Sequence, residues 1–265
     1  MRKGGCTALG LHLLEVKSLV GNLIGWETDP DTALDPSAGI IEKLNIGGVE
    51  VWITETVVNT WIFMAVLILI AVFLRIKMKN YKYRPGGLQN VVETAIEYMD
   101  SFVRSVMSDK YAYFGNWFFG VFVLILVSNL SGLLGFRPPT ADLCTTAAIT
   151  LVTFVLIHFM GIKTGKGGYF KGYLEPVPIL LPINIISEFA TPISLSFRLF
   201  GNILGGMIIT SMIYMALGAL PGILKIFNIG VPSVLSVYFD VFAGCIQTVI
   251  FVMLSMTFIK DKISD

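Results

Sequence analysis

Five long apolar segments constrain this chain more than any other feature of its sequence. They lie at about residues 56–75, 115–135, 142–162, 177–217 and 231–260. Each is long enough to cross a hydrocarbon core of about 30 Å as a helix. The 265-residue chain is 55% hydrophobic and only 14% charged, whereas an average soluble domain carries about 25% charged residues. The sequence therefore predicts an all-α, polytopic membrane protein, and it excludes a soluble enzyme or a disordered chain.

The composition also excludes several classes of function. A net charge of +1 argues against a nucleic-acid binder, which needs a concentrated basic face. The cysteines are far apart, and the chain has no phosphate-binding loop and no serine or zinc hydrolase motif. We therefore expect no metal site, no cofactor, no bound nucleotide and no catalysis by the chain alone. His158 has no second histidine in an apolar segment with which to ligate a haem, and a lone histidine is more often a packed or hydrogen-bonded residue.

Two regions differ from the apolar segments. Residues 1–55 are mostly polar, with an excess of acidic side chains over 27–55, and we assign them to an N-terminal region outside the membrane. Residues 56–265 form the membrane domain. Within it, residues 87–109 have apolar positions at helical spacing and charged positions on the other face. That pattern predicts an amphipathic helix lying at the membrane interface.

The last two apolar segments are longer than a perpendicular crossing requires. As helices, residues 177–217 would measure about 60 Å and residues 231–260 about 43 Å. Both segments must therefore tilt strongly, kink, or lie partly along the interface. Pro182 and Pro192 mark kinks, or the turn that begins the helix, in the first of the two.

Basic residues cluster in loops on one side of the predicted spans. The loop 75–84, the loop 163–173 and the tail after residue 259 hold most of them, whereas the other side has Arg137, Lys225 and the acidic region. The side of the membrane with more Lys and Arg in its short loops is the cytoplasmic one. Five spans then predict an N-terminus outside the cell and a C-terminus in the cytoplasm.

Arg198 lies deep in the fourth segment, too far from either end to reach the interface easily. A charge at that depth costs about 2.5 to 3.5 kcal/mol on insertion scales, and a guanidinium keeps its proton. One interpretation is an interhelical salt bridge with Asp240 or Glu188. The other is a fixed positive charge that faces a charged partner or an ion path. Ser194 and Asn202 each lie one helical turn from it, so a polar stripe follows that face.

Other polar side chains in the apolar segments leave two interpretations open. Asp240 and Gln247 share a helical face and form either an interhelical hydrogen bond or a hydrated path with a titratable carboxylate. Glu188 is either an interfacial residue beside a kink or part of a path. Asn129 is a weaker path candidate. For Asp142, a charge facing the N-terminal dipole of the third span is favoured over a place in the path.

The stretch 182–206 reads PINIISEFATPISLSFRLFGNILGG, and it closely resembles the signature of subunit a of the F-type ATP synthases. In that family a PIN element precedes a carboxylate and a Pro-x-Ser-Leu-x-x-Arg-Leu-x-x-Asn run. The order of elements is also similar over about residues 50–260. It comprises an outer N-terminus, a basic loop with an interfacial helix, and two long final helices.

This resemblance implies a role for each matching residue. Arg198 matches the essential stator arginine that faces a rotating ring of small subunits. Five further residues match positions near that arginine or along two half-channels, namely Asn202 and Gln247 near the arginine, Asp240 in the outer half-channel, and Glu188 and Ser194 near the inner one. Where some members have a carboxylate after the asparagine of the second span, this chain has Ser131-Gly132. Where many have an acidic residue or a histidine beyond the arginine motif, it has Met207, so its outer path rests more heavily on Asp240.

The resemblance also implies a function. A chain of this family is a multi-pass protein of the bacterial cell membrane that passes protons, or Na⁺, to and from the carboxylates of the c-ring. Its partners are the c-ring, the b subunits of the peripheral stalk and the lipid, and it couples the ion gradient to ATP synthesis. The alternative is a stand-alone ion channel or a secondary transporter. The sequence shows no internal repeat of the kind that many secondary transporters have.

Overall fold

A computed structural model of the chain describes residues 40–46, 49–78, 86–134, 136–165, 169, 178–218 and 227–263. Most of the 1–55 region and much of the loop 163–173 lie outside the described residues. The helices, in chain order, are α1 (Glu55–Lys77), α2 (Gly87–Met107), α3 (Gly115–Leu130), α4 (Leu143–Gly165), α5 (Leu181–Gly218), α6 (Phe227–Ser236) and α7 (Gly244–Ile263). A π-helical segment, Val237–Ala243, joins α6 to α7.

Five stretches of helix in the described part are long and apolar enough to cross a membrane. They are Glu55–Lys77, Asp109–Leu134, Leu143–Thr164, Pro178–Leu217 and Val234–Ile263. The predicted all-α, five-span architecture is confirmed. The division of the chain into an N-terminal region and an ion-translocating domain near residue 55 stays a prediction.

A two-stranded hairpin precedes the first span, and the sequence analysis did not contain it. Strand β1 (Ile40–Ile46) pairs antiparallel with β2 (Val49–Thr54), and β2 runs directly into α1. The β-branched and aromatic residues of VEVWIT are typical of a strand. The hairpin belongs to the acidic region assigned to the space outside the membrane.

Helix α7 forms the centre of the bundle, because α2, α3, α4 and α5 all pack against it. Its buried apolar residues include Phe251, Val252, Met256 and Ile259, which are fully enclosed. Helix α1 is the opposite case, since only its first turn is buried and the rest of its side chains are mostly exposed. An apolar helix that is exposed along its length must be covered by lipid or by another subunit.

Helix α2 is the predicted amphipathic helix. Its buried residues Met99, Val103 and Met107 are spaced by four and face α3 and α7, whereas Glu97 on the other side is exposed and Glu93 is half-buried. One apolar stripe and one charged face are typical of a helix lying at the interface. The helix ends at Met107, close to the predicted position.

Helix α5 has 38 residues, and at 1.5 Å per residue it is about 57 Å long. Pro182 lies in its first turn, where a missing N–H breaks no helical hydrogen bond. Pro192 lies inside the helix, which continues through it without ending. A helix this long exceeds a hydrocarbon core of about 30 Å, which supports the predicted strong tilt.

The bundle has two chemically different ends. The basic end holds the last turns of α1, α4 and α7, with Lys77, Lys163 and Lys262, and the first turn of α5. At the opposite end, the first turn of α1 binds the loop before α4. There Thr56 Oγ1 donates to Asp142 Oδ2 at 2.9 Å, and the Asn59 amide donates to a backbone carbonyl of that loop at 3.1 Å.

The fully buried side chain of Asn129 ties three elements together near the opposite end. Its Nδ2 donates to the Gly244 carbonyl at 3.1 Å and to Thr248 Oγ1 at 3.2 Å. Its Oδ1 accepts a hydrogen bond from Thr140 Oγ1 at 2.8 Å. Gly244 permits the contact, because a Cβ there would lie 3.1 Å from the Asn129 Cβ.

We expect Asn129→Leu to destabilise the chain, because it leaves the Thr140 hydroxyl buried without its acceptor. An orphaned buried donor costs about 1–3 kcal/mol, which corresponds to a fall of roughly 5 °C in the thermal unfolding midpoint. The measurement is thermal unfolding of the purified complex in detergent. Thr257→Val is the matched control, since its hydroxyl bonds the carbonyl four residues earlier on an exposed face. Equal midpoints for the two variants would contradict this role of Asn129.

Candidate functional site

Arg198 lies near the middle of α5 with its side chain exposed on the outer surface of the bundle. Its neighbours Leu195 and Leu199 are buried in the core, so the helix turns its apolar face inward and the arginine outward. Among the described residues, Arg198 forms no ion pair with Asp240 or Glu188. The described contacts therefore favour a charge directed at a partner over an internal salt bridge.

A groove of about 250 Å³ opens beside Arg198, between α5 and α7. Its polar wall on α5 consists of Ser187, Thr191, Ser194 and Arg198, and α7 contributes Leu254 and Phe258. The α5 residues are spaced by four, three and four, so they share one helical face. The groove therefore runs along a line of hydroxyl groups from Arg198 toward the basic end.

Ser187 and Thr191 are site residues that the sequence analysis missed. The signal was present, because both continue the spacing of Ser194 and Arg198 toward the start of the helix. Serine and threonine in a membrane helix commonly bond the backbone four residues earlier, as Thr191 Oγ1 does to the Ser187 carbonyl at 3.3 Å. Such residues therefore do not stand out in the sequence as charges do.

Two amides, one on α5 and one on α7, have buried nitrogen atoms without a hydrogen-bond partner among the described residues. They are Asn202 Nδ2, one turn beyond Arg198 on α5, and Gln247 Nε2 on α7. A buried donor left unpaired costs about 1–3 kcal/mol. Such groups occur at sites where function, rather than stability, selects the side chain.

Asp240 lies in the π-helical segment, half-buried, with its carboxylate against Gly132. A Cβ at Gly132 would lie 3.1 Å from both carboxylate oxygens, so the glycine leaves the room that the carboxylate occupies. Helical spacing predicts that Asp240 and Gln247 share one face of the last helix. In the structure Gln247 is buried in the core while Asp240 is half-exposed. The wider π turn between them breaks the 3.6-residue spacing on which that expectation rested.

The glycines beside Arg198 do not all serve close helix packing. Gly206 does, because a Cβ there would lie 3.0 Å from the Phe239 Cβ. Gly201 and Gly205 face open space within this chain. The surface next to Arg198 therefore has no bulky side chain at these two positions.

Asn129 and Asp142 are fully engaged in contacts at the opposite end. The carboxylate of Asp142 accepts the Cys144 backbone N–H at 3.0 Å and the Thr56 hydroxyl at 2.9 Å. It therefore caps α4, as the favoured interpretation expects. Asn129 lies close to Gly244, one turn after Asp240, which places it near that carboxylate's part of the bundle.

Glu188 lies at the basic end, one residue after Ser187 of the groove. Its carboxylate binds Lys262 Nζ at 2.8 Å and lies 3.6 Å from His158 Nε2. The predicted site residues thus fall into three places. Arg198 and Ser194 share the groove, Asp240 lies near the opposite end, and Glu188 lies at the basic end.

Comparison with known proteins identifies the family. The family model described as ATP synthase A chain matches residues 57–260. ATP synthase subunit a of Moorella thermoacetica is 33% identical over 83% of this chain and 95% of its own length. The sodium-ion-specific ATP synthase subunit a of Propionigenium modestum is 34% identical over 80% of this chain and 75% of its own. ATP synthase subunit a of Enterococcus faecalis is 32% identical over 83% of this chain and 95% of its own length.

The family match covers the five membrane-spanning stretches, which include the arginine-bearing helix α5, and the interfacial helix α2. The outward-facing Arg198 lies in the stretch 182–206, whose sequence resembles the signature of the family. The chain therefore belongs to the ATP synthase subunit a family, the ion-translocating stator subunits of the membrane sector.

Proposed function

We propose that Arg198 is the stator charge of this subunit and that ions reach and leave it by two separate half-channels. The observation that carries the proposal is the exposed guanidinium, in mid-helix, with no acidic partner among the described residues. A permanent charge at that depth needs an anionic group from outside the chain. The carboxylates of a rotating c-ring supply such a group.

In this mechanism the ion enters near Asp240 and neutralises a ring carboxylate, which then faces lipid. After nearly a full turn the carboxylate meets Arg198 and ionises again. Two unit charges about 4 Å apart attract by about 4 kcal/mol at an effective dielectric constant of 20. The arginine thus favours the ionised carboxylate and blocks direct passage of protons between the two half-channels.

The groove along Ser187, Thr191 and Ser194 is the inner half-channel in this proposal. It begins at Arg198 and its hydroxyls lead toward the basic end. The outer half-channel includes Asp240, supported by the room at Gly132. Between the two half-channels, the unpaired amide nitrogens of Asn202 and Gln247 donate hydrogen bonds to water in this proposal.

The basic end faces the cytoplasm of a bacterial cell, with the N-terminus outside, according to the distribution of Lys and Arg. The c-ring covers the face of α5 that presents Arg198, where Gly201 and Gly205 leave room. The b subunits and lipid cover the exposed surface of α1. The chain makes no covalent chemistry of its own. A stand-alone channel or secondary transporter would enclose its ion-binding residues, which the outward direction of Arg198 disfavours.

We expect Arg198→Ala to abolish ATP-driven ion transport by the complex in proteoliposomes while the complex still assembles. The reason is that nothing else then favours ionisation of the ring carboxylate at the boundary between the half-channels. The loss should be at least about tenfold, given an attraction of about 4 kcal/mol. Transport is measured as interior acidification, with and without Na⁺. We expect protons to be the transported ion, so that omitting Na⁺ leaves the rate unchanged.

Arg104→Ala is the matched control for that experiment. Arg104 is a half-exposed arginine of α2 that pairs with Asp109 at 2.9 Å, and surface pairs of this kind contribute about 0–1 kcal/mol. Its removal should leave transport near the wild-type rate. Normal coupled transport by Arg198→Ala would show that the stator role is wrong.

We expect Asp240→Asn to slow ion flux and to change its dependence on the outer pH, because the amide cannot exchange a proton. Gly132→Val should have a similar effect, since its side chain would displace the carboxylate. Gly120→Ala is the control on the same span, because a Cβ at Gly120 meets no atom within 4 Å. Passive proton flux through the membrane sector, measured against outer pH, tests both variants. An unchanged flux and pH profile in Asp240→Asn would identify Asp240 as purely structural.

The proposed orientation predicts the side of the membrane from which a reagent can label each of two thiols at opposite ends of α4. With Cys6 and Cys245 replaced by serine, a membrane-impermeant thiol reagent should label Lys163→Cys from the cytoplasmic side. It should label the native Cys144, which is exposed in the first turn of α4, from the outer side. Peptide mapping of labelled right-side-out and inside-out vesicles measures this, and the reverse pattern would invert the topology.

A further inference from the structure

Three helices meet at the basic end through a cluster of ionisable side chains. His158 of α4, Glu188 of α5 and Lys262 of α7 each contribute one group. Lys262 Nζ donates to Glu188 Oε2 at 2.8 Å, and His158 Nε2 lies 3.6 Å from Glu188 Oε1. The ring centre of Tyr169 lies 5.7 Å from Lys262 Nζ and 6.3 Å from the centre of the His158 imidazole.

This cluster lies where the Arg198 groove ends. Leu254 and Phe258 form the α7 wall of the groove, and Lys262 is the next residue at the same spacing of four. On α5, Glu188 directly follows Ser187, the groove residue nearest the basic end. The pair between Glu188 and Lys262 therefore joins the two walls of the groove at its mouth.

The hydrogen bonding of His158 determines what its second nitrogen can do. Nδ1 lies 2.9 Å from the Phe154 carbonyl oxygen, which can only accept, so Nδ1 carries a proton. In neutral imidazole the other nitrogen is then an acceptor. A lone pair at Nε2 facing the Glu188 carboxylate is unfavourable, whereas a proton on Nε2 makes the contact a charged attraction. The geometry therefore identifies Nε2 as the ring nitrogen that is available to exchange a proton.

We propose that Nε2 of His158 is a proton-exchange site at the mouth of the inner half-channel, positioned by Glu188 and Lys262. The inference rests on the proposed function, because it needs a proton to travel along the groove. Among the described residues, the titratable groups around the imidazole are the carboxylate of Glu188 on α5, the Lys262 ammonium of α7 that binds the same carboxylate, and the ring of Tyr169. Histidine is the side chain whose charge ordinarily changes near neutral pH.

The step is a transfer of one proton with no change of oxidation state. A hydrated proton in the groove binds to the Nε2 lone pair, forming an N–H bond and an imidazolium that Glu188 stabilises. That N–H bond then breaks as water on the far side accepts the proton. Nδ1 keeps its proton throughout, since it remains bonded to Phe154. Lys262 matches the charge of Glu188 when the imidazole is neutral.

The experiment measures passive proton flux through the assembled membrane sector in vesicles, with the pH on the basic-end side varied and the other side fixed. Wild type should show a transition with that pH. His158→Gln keeps a donor for the Phe154 carbonyl and removes the titration, so the transition should disappear while assembly persists. A transition of unchanged size and midpoint in His158→Gln would overturn the proposal.

Two further variants, with Lys262→Arg as their control, test the arrangement even if His158→Gln fails to assemble. Lys262→Met removes a competing cation, so the transition should move to higher pH, by about one unit. Glu188→Gln removes the anion, so it should move to lower pH by a similar amount. Lys262→Arg should restore the wild-type midpoint. Shifts absent from both variants, or in the same direction in both, would leave the cluster a packing contact and refute the proposal.

These outcomes are distinguishable from failure of the proposed function. Arg198→Ala tests coupled transport by the stator charge, and it does not alter the contacts of the His158 cluster. If Arg198→Ala retained coupled transport, the stator mechanism would fail whatever the pH profile. If Arg198→Ala lost transport and the His158 variants kept the wild-type profile, only the exchange site would be wrong.

Discussion

The positive charge of Arg198 has no counter-charge among the described residues of its own chain, and the rest of the architecture follows from that. Placing the arginine at mid-membrane depth is unfavourable by about 2.5 to 3.5 kcal/mol. Its attraction to a carboxylate about 4 Å away is about 4 kcal/mol. The two quantities are similar in size. In the mechanism proposed above, a c-ring carboxylate that passes Arg198 therefore offsets the cost of holding the charge at that depth.

Holding one charge at a fixed place requires a rigid support, and the packing of α7 provides it. Four other helices surround α7, and its side chains Phe251 and Met256 are fully enclosed. Gly206 and Gly244 let neighbouring side chains approach this core closely. Arg198 thus projects from a helix that is fixed on its inner side. On the outer side of α5, Gly201 and Gly205 leave open space beside Arg198.

The sequence sufficed to predict the features that depend on composition and periodicity, namely the number of spans and the interfacial helix. For Arg198 the residues alone left an internal salt bridge and a charge facing a partner both open, and the family resemblance implied the second. The cluster of His158, Glu188 and Lys262 could not be predicted, because its members are up to 104 residues apart and meet only through tertiary packing. The hairpin was missed because a short amphipathic strand carries little signal beside long apolar runs.

The face that Asp240 presents could not be predicted either, because helical spacing assumes 3.6 residues per turn and Val237–Ala243 is a π-helical segment. That segment divides the final helical stretch into α6, which precedes it, and α7, which follows it. Beyond it, α7 is fixed in the core by its buried side chains, whereas Asp240 lies within the wide turn itself. Gaining or losing a single residue there would change the direction of the Asp240 carboxylate without repacking α7.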